Sequence, residues 1–195
     1  MPIKINTEIR IWGVYFLTLL LAIYFHELGH SVPAWAEGII AIPTPAKEYI
    51  MEVIPADLQQ QVSLGGIIAS LLFTVLAVVF YAIKKLKVSS AILAGAIAMP
   101  GMYTLRFILV GRGHDATEFQ EAQAMLGLNY SGHFIDWLFL ALFLTGSLVW
   151  IIKSKPDFKI TGRLFAGVIL TAIFVVGLQV LNNAVFDPIF QSQPI

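Results

Sequence analysis

Hydrophobic residues along the chain form five long runs that are separated by short polar segments. Each run is about as long as the roughly 20 residues that a helix needs to cross a bilayer. A backbone inside lipid must satisfy its own hydrogen bonds, so spans of this kind are helical. The predicted spans are 9–32, 62–83, 89–110, 133–152 and 164–185. The pattern therefore predicts an all-α integral membrane protein with about five transmembrane helices.

The polar segment that follows the first span is long and contains several prolines. Residues 39–61 hold three prolines and short β-prone stretches, which indicates a short extramembrane hairpin or loop rather than a domain. We therefore expect a single membrane-embedded domain over residues 1–195.

Composition supports the membrane class and narrows the chemistry. Of the 195 residues, 58% are hydrophobic and 12% are charged, whereas about one quarter of a soluble domain is charged. The formal net charge is zero, and without a basic tract there is no indication of a nucleic-acid partner. The absence of cysteine excludes disulfides and thiolate metal sites. A histidine metal site must therefore draw on the four histidines of the chain.

Lysine and arginine are concentrated in alternate polar segments, which predicts the orientation of the spans. Basic loops face the cytoplasm. The residues that mark this side are Lys4, Arg10, Lys84, Lys85, Lys87, Lys153, Lys155, Lys159 and Arg163. The pattern places the N-terminus in the cytoplasm, and the C-terminus and the outer end of the first span on the extracytoplasmic side.

A motif with chemical meaning, "HELGH", ends the first span. His26 and His30 are four residues apart, so on a helix they share one face and can offer two imidazole nitrogens to one metal ion. Glu27 can act as the general base on a metal-activated water. Zinc suits two imidazoles, one more protein ligand and an open fourth position. If the first run is instead a signal peptide with "AWA" at 34–36 as its cleavage site, the motif would be removed.

The stretch "HELGHSVPAWAEGI" resembles the site-2 protease family of intramembrane zinc metalloproteases. That family has the same H-E-x-G-H motif, followed by a small residue and a glycine at the spacing of Ala34 and Gly38. The stretch "VSLGGIIASLL" resembles its second core helix, although Ser70 stands where the family has asparagine. The resemblance implies a zinc cofactor, a membrane protein or peptide as substrate, and hydrolysis in or beside the bilayer. It also implies a site near the cytoplasmic face, whereas the charge pattern predicts the opposite face.

The sequence identifies the third metal ligand less directly than it identifies the two histidines. In the family it is an aspartate in an Asp-Gly motif, and the nearest equivalent here is Asp115, which is followed by Ala116. By this analogy we expect Asp115 to complete the metal site. His114 is a competitor because imidazole is an equally good zinc ligand, and Glu118 is a third candidate. Alternatively, Asp115 caps a helix in a capping box with Glu118.

Other polar residues are predicted at the same membrane level and could form a collar that admits water to the site. They are Arg106, His133, Asp136, Gln179, Asn182 and Asn183.

The sequence predicts zinc-dependent hydrolysis of a peptide in or next to the membrane, with the lipid bilayer as the other partner. Two alternatives stay open. The same chemistry could act on a lipid amide or ester, because Ser70 and the missing Asp-Gly motif depart from the protease pattern. A non-catalytic metal-binding membrane protein is the second alternative, although such a site has no need of Glu27 as a base.

Overall fold

The computed structural model of the chain describes residues 7–83, 87–129, 132–154 and 158–190. Helices dominate these ranges. The elements in chain order are α1 (Thr7–Ala36), β1 (Ala41–Pro43), β2 (Glu48–Ile50), α2 (Ala56–Ile83), α3 (Lys87–Val110), α4 (His114–Met125), α5 (Phe134–Ser154), α6 (Phe158–Leu181), a π-helical segment (Asn182–Phe186) and α7 (Asp187–Phe190). Lys4, Lys84, Lys85 and Lys155 of the charge pattern lie outside the described residues.

The predicted fold class is confirmed: the protein has an all-α, multi-pass membrane architecture. Within the described ranges, five helical stretches are long and apolar enough to cross a bilayer. They are Ile9–Ala36, Ala56–Ile83, Ser89–Val110, Phe134–Lys153 and Gly167–Phe190. Many of their large hydrophobic side chains, such as Leu72, Leu76 and Leu144, are exposed on the outside of the bundle, as a lipid-facing surface requires.

The first helix runs further than the sequence suggested. The predicted span ends at Val32, but α1 continues through Pro33 to Ala36. Proline has no N–H to donate to the carbonyl of Gly29, and the helix ends three residues later, at Ala36. The second span also begins earlier than predicted, because α2 starts at Ala56 rather than at Val62.

Close contact between α1 and α2 depends on two glycines. A Cβ atom at Gly29 would lie 2.4 Å from the carbonyl oxygen of Gly65, and one at Gly65 would lie 2.1 Å from the carbonyl oxygen of Gly29. Small residues of this kind let helix backbones approach each other in membranes. This approach brings the histidines of α1 against the backbone of α2.

The segment between α1 and α2 forms the predicted hairpin. β1 and β2 pair antiparallel, with Ala41 opposite Ile50 and Pro43 opposite Glu48. The hairpin is joined to the end of the last span by buried polar groups: Thr44 donates to Asn182 Oδ1 at 2.5 Å, and Asn182 Nδ2 donates to the Tyr49 hydroxyl at 2.6 Å. The hairpin, the C-terminal end of α1 and the π-helical segment therefore lie at one end of the bundle.

Helix α4 packs against α2 at this same end. Ala116 belongs to a buried apolar cluster with Ile67 of α2 and with Ile135 and Phe139 of α5. The opposite end is closed by contacts between other helix termini, including Trp150 Nε1 donating to Ser90 at 2.8 Å and Lys153 Nζ donating to the Ala82 carbonyl at 2.6 Å.

Candidate metal centre

The two motif histidines are buried where α1 meets α2. His26 and His30 are each 3% exposed, and their Nε2 atoms lie 3.0 Å apart. Nδ1 of His30 lies 2.8 Å from the carbonyl oxygen of Val62, and Nδ1 of His26 lies 3.0 Å from that of Gly66. The i, i+4 spacing thus produces the shared face that the sequence predicted.

These carbonyl contacts fix the protons of the two rings. A carbonyl oxygen only accepts hydrogen bonds, so each Nδ1 carries the hydrogen and donates it. Each neutral ring then presents a lone pair at Nε2, and the two lone pairs of His26 and His30 point into the same space. Two acceptors cannot bond to each other, and a cation between them satisfies both. Histidines that bind metals are commonly oriented by acceptors of this kind, to which the second ring nitrogen donates its hydrogen.

Ser70 supports the same arrangement from α2. Its hydroxyl oxygen lies 2.9 Å from Nδ1 of His26, and its own hydrogen is directed to the sulfur of Met99 at 3.5 Å. The position that departs from the family pattern is therefore in direct contact with a motif histidine.

Asp115 reaches the histidines from the first turn of α4. It is 1% exposed, and its Oδ2 lies 3.4 Å from Nε2 of His26. This Oδ2 has no hydrogen-bond partner among the described residues. One nitrogen from His26, one from His30 and one oxygen of Asp115 all lie within 4.8 Å of one another. An orphaned carboxylate oxygen facing two imidazole nitrogens is a donor set that suits catalytic zinc.

Charge keeps the Asp115 side chain ionised. Burial raises the pKa of this carboxyl, but attraction to the protonated form of His26, with smaller contributions from His30 and the Tyr103 hydroxyl, outweighs burial and lowers the pKa to about 2. A metal cation beside the neutral rings would lower it in the same direction. The carboxylate form, which a metal ligand needs, is therefore present at neutral pH.

Asp115 is not a helix cap, so the capping-box alternative is wrong. Gly113 is the N-cap of α4, and Asp115 is the second residue of the helix. The Gly113 backbone N–H donates instead to Oδ1 of Asp136 on α5 at 2.8 Å. The side chain of Asp115 is thereby left free to turn inward toward the histidines.

The competing ligands, His114 and Glu118, pair with each other and not with the motif histidines. His114 has a side chain that is 56% exposed, and its Nδ1 lies 3.0 Å from a carboxylate oxygen of Glu118. The hydrogen bond to Glu118 raises the pKa of His114, although partial burial opposes this. A raised pKa favours the protonated ring, which cannot bind a metal. His114, Asp115 and Glu118 do form a second possible cluster, but His114 is exposed, Glu118 is partly exposed, and the cluster lacks both motif histidines.

Glu27 is placed beside the histidine pair, as the motif predicts. It is 8% exposed, and a carboxylate oxygen of Glu27, a nitrogen of His30 and a carboxylate oxygen of Glu48 lie within 4.8 Å of one another. Glu48 is the first residue of strand β2. The hairpin thus contributes a residue to the site that the sequence analysis did not identify, because nothing in the sequence around Glu48 marks it.

Tyr103 is the other residue that sequence reasoning missed. Its hydroxyl donates to Oδ1 of Asp115 at 2.5 Å and lies 3.1 Å from Nε2 of His26. Its ring stacks on Phe139, with the centroids 4.5 Å apart. A tyrosine in an apolar span is ordinary, and only the fold shows that it faces the carboxylate.

The residues of the predicted polar collar do not form one continuous group. Arg106, Gln179 and Asn183 are exposed. His133 Nδ1 lies 3.0 Å from Oδ2 of Asp136, so this pair supports the N-terminus of α4, and Asn182 joins the hairpin to the last span.

Comparisons with protein-family models, with curated proteins and with solved structures find no match to this chain. Membership of the site-2 protease family stays a prediction that rests on the motifs.

Proposed function

We propose that this protein is a membrane-embedded, zinc-dependent hydrolase that cleaves a peptide bond in or beside the bilayer. His26, His30 and Asp115 hold the metal, and Glu27 is the general base. The observation that carries the proposal is the convergence of two buried imidazole lone pairs on a carboxylate oxygen without a hydrogen-bond partner. The motif resemblance supports placing the chain as a compact, divergent relative of the site-2 proteases.

The metal ligands and the general base have separate roles, as hydrolysis requires. When bound, zinc lowers the pKa of a water molecule and polarises a carbonyl group. Glu27 lies beside the three proposed ligands and is not one of them. Its carboxylate is therefore free to accept a proton from water and to pass it to the leaving group. Burial of the site within the helix bundle strengthens each of these electrostatic interactions.

A peptide is the favoured substrate because of the hairpin. β1 and β2 form a two-stranded sheet, and an extended peptide can add to a free sheet edge through its backbone. Since carboxylate oxygens of Glu48 on β2 and of Glu27 lie within 4.8 Å of each other, a peptide held at the hairpin would lie close to the base.

A lipid amide or ester is the second candidate, and one observation favours it. An apolar groove of about 410 Å³ lies between α2, α4 and α5 and includes Ile67 and Ile135 in its walls. Both residues belong to the cluster that packs beside Tyr103. An acyl chain would fit a groove of this character.

The charge pattern supports an extracytoplasmic site. The hairpin, α4 and the end of the last span all gather at the end of the bundle that carries His26 and His30. The basic segments of the sequence precede or follow the spans at their other ends. By the positive-inside rule the N-terminus is cytoplasmic, and the zinc site and C-terminus face the other side.

The test compares purified wild-type protein with Glu27→Gln, which keeps the size of the side chain and removes the base. Both proteins are assayed on a transmembrane peptide reporter and on a lipid amide. We expect Glu27→Gln to retain zinc and to lose cleavage of the peptide by at least about 100-fold. Cleavage of the lipid alone would favour the second candidate. Unchanged activity in Glu27→Gln would contradict both and favour a non-catalytic metal-binding protein.

A further inference from the structure

Tyr103 makes the closest polar contact with the carboxylate that the proposed metal site needs. The side chain leaves α3 one turn after Pro100 and reaches across to α4. Its hydroxyl donates to Oδ1 of Asp115, while Oδ2 of the same carboxylate has no partner among the described residues. The two oxygens of Asp115 are therefore in different environments.

This difference has a consequence for the geometry of the ligand. The terminal torsion of an aspartate side chain is broad and roughly two-fold, so the carboxylate of Asp115 can rotate unless one oxygen is held. With Oδ1 held by the tyrosine, Oδ2 stays directed at Nε2 of His26, 3.4 Å away. Without the hydroxyl, no donor among the described residues would form a hydrogen bond that keeps either oxygen of the carboxylate in place.

The tyrosine ring is itself fixed by packing. It stacks on Phe139 of α5 with an interplanar angle of 10°. Phe139 is 1% exposed and lies in the buried cluster that also contains Ala116. Removing only the hydroxyl should therefore leave the ring in position, and the effect of the hydroxyl can be isolated by Tyr103→Phe.

We infer that Tyr103 is a positioning residue that holds Asp115 in the orientation of the third metal ligand. This inference rests on the proposed function, because it requires that Asp115 bind the metal. Hydrogen-bond partners of metal ligands commonly contribute 10- to 100-fold to metal affinity, as an order of magnitude. The sequence motif gives no sign of this role, since Tyr103 lies outside it.

The experiment measures the zinc affinity of the full-length protein in detergent by competition with a chelator. Tyr103→Phe is compared with wild type and with Tyr15→Phe. Tyr15 is a suitable control because its hydroxyl also forms a hydrogen bond between spans, to Thr171, and it lies three helical turns before His26 on α1. We expect Tyr103→Phe to raise the dissociation constant by about 10- to 100-fold, and Tyr15→Phe to leave it unchanged.

A double-mutant cycle separates positioning from general loosening of the fold. If Tyr103 acts through Asp115, then Tyr103→Phe should have little further effect on zinc affinity once Asp115→Asn is present. The absorption of the cobalt-substituted protein should change in Tyr103→Phe and stay as in wild type in Tyr15→Phe.

Three outcomes would overturn the inference. Equal affinity in Tyr103→Phe and wild type would show that the hydroxyl does not position the ligand. Equal losses in both tyrosine variants, or full additivity with Asp115→Asn, would assign the effect to the fold instead. If wild type itself bound no zinc, the proposed function would fail together with the inference, and the wild-type titration alone would show this.

Discussion

The imidazole of His30 packs directly on the backbone of Gly66. A Cβ atom at Gly66 would lie 2.2 Å from Nε2 of His30 and 2.4 Å from its Cε1. No side chain can occupy this position without moving the ring. The glycine of α2 therefore determines where the second histidine of the motif can be.

Gly66→Ala should weaken zinc binding although Gly66 offers no metal ligand. The methyl group would displace the His30 ring and separate the two Nε2 atoms, so we expect a loss of at least about 10-fold in zinc affinity. Gly177→Ala in α6 is the matched control, because nothing lies within 4 Å of its Cβ position. Alanine there should be neutral or slightly stabilising. Equal zinc affinity in Gly66→Ala and wild type would show that His30 is not a ligand in this position.

Asp136 should matter for zinc through the loop that it holds. It is 3% exposed and accepts the Gly113 backbone N–H just before the helix that carries Asp115. Asp136→Ala leaves this buried donor unpaired, which costs about 1–3 kcal/mol, and it should lower both the free energy of unfolding and the zinc affinity. Asp136→Asn keeps a carbonyl oxygen for Gly113 and should have a smaller effect. Denaturant unfolding and chelator competition measure the two quantities. An identical zinc affinity in all three proteins would rule out this role.

Asn182 should contribute to stability without affecting the metal. It is 3% exposed, and its amide pairs with Thr44 and Tyr49 of the hairpin. Asn182→Ala removes both hydrogen bonds, while Thr44 keeps the Lys47 carbonyl and Tyr49 keeps Asp187 as partners. We therefore expect a loss of about 0.5–1.5 kcal/mol per hydrogen bond in the free energy of unfolding and faster proteolysis of the hairpin. The exposed neighbour Asn183 is the control, and Asn183→Ala should cost less. A loss of zinc in Asn182→Ala at full stability would mean that the hairpin junction belongs to the metal site.

Zinc affinity should fall as the pH is lowered from about 8 to about 5. Protons compete with a metal ion for imidazole nitrogens, and each proton that must be released lowers the affinity by up to about 10-fold per pH unit. Asp115 does not add to this slope, because its pKa of about 2 keeps it ionised across the range. Chelator competition at several pH values measures the effect. A flat profile over this range would mean that imidazoles do not hold the metal.

The spans and the pairing of His26 with His30 could be predicted because both depend on local patterns. Hydrophobic runs of membrane length specify helices, and the i, i+4 spacing specifies a shared helix face. Asp115 could be predicted as a metal ligand only by analogy with the family. A single acidic residue after a span is also compatible with a helix cap or a surface charge.

The partners of these residues could not be predicted, for a physical reason. Tyr103 and Asp115 are separated by the end of α3 and by a turn in which Gly111 has a φ of 88°. Glu48 meets Glu27 only because the hairpin folds back toward α1. Contacts of this kind depend on how helices and loops pack in three dimensions, and the periodicity of the sequence does not encode them. The N-cap interpretation of Asp115 was wrong because Gly113 begins the helix and Asp136, a residue of another helix, binds its N–H.

The most direct test of the metal site is the zinc content of purified protein, in atoms per chain, for wild type, His26→Ala, Asp115→Ala and His114→Ala. His114→Ala is the matched control, since it removes an adjacent imidazole that faces Glu118. We predict one zinc ion per chain in wild type and in His114→Ala, and a large loss in His26→Ala and Asp115→Ala. Zinc retained in Asp115→Ala but lost in His114→Ala, or no zinc in wild type, would contradict the assignment of the metal site.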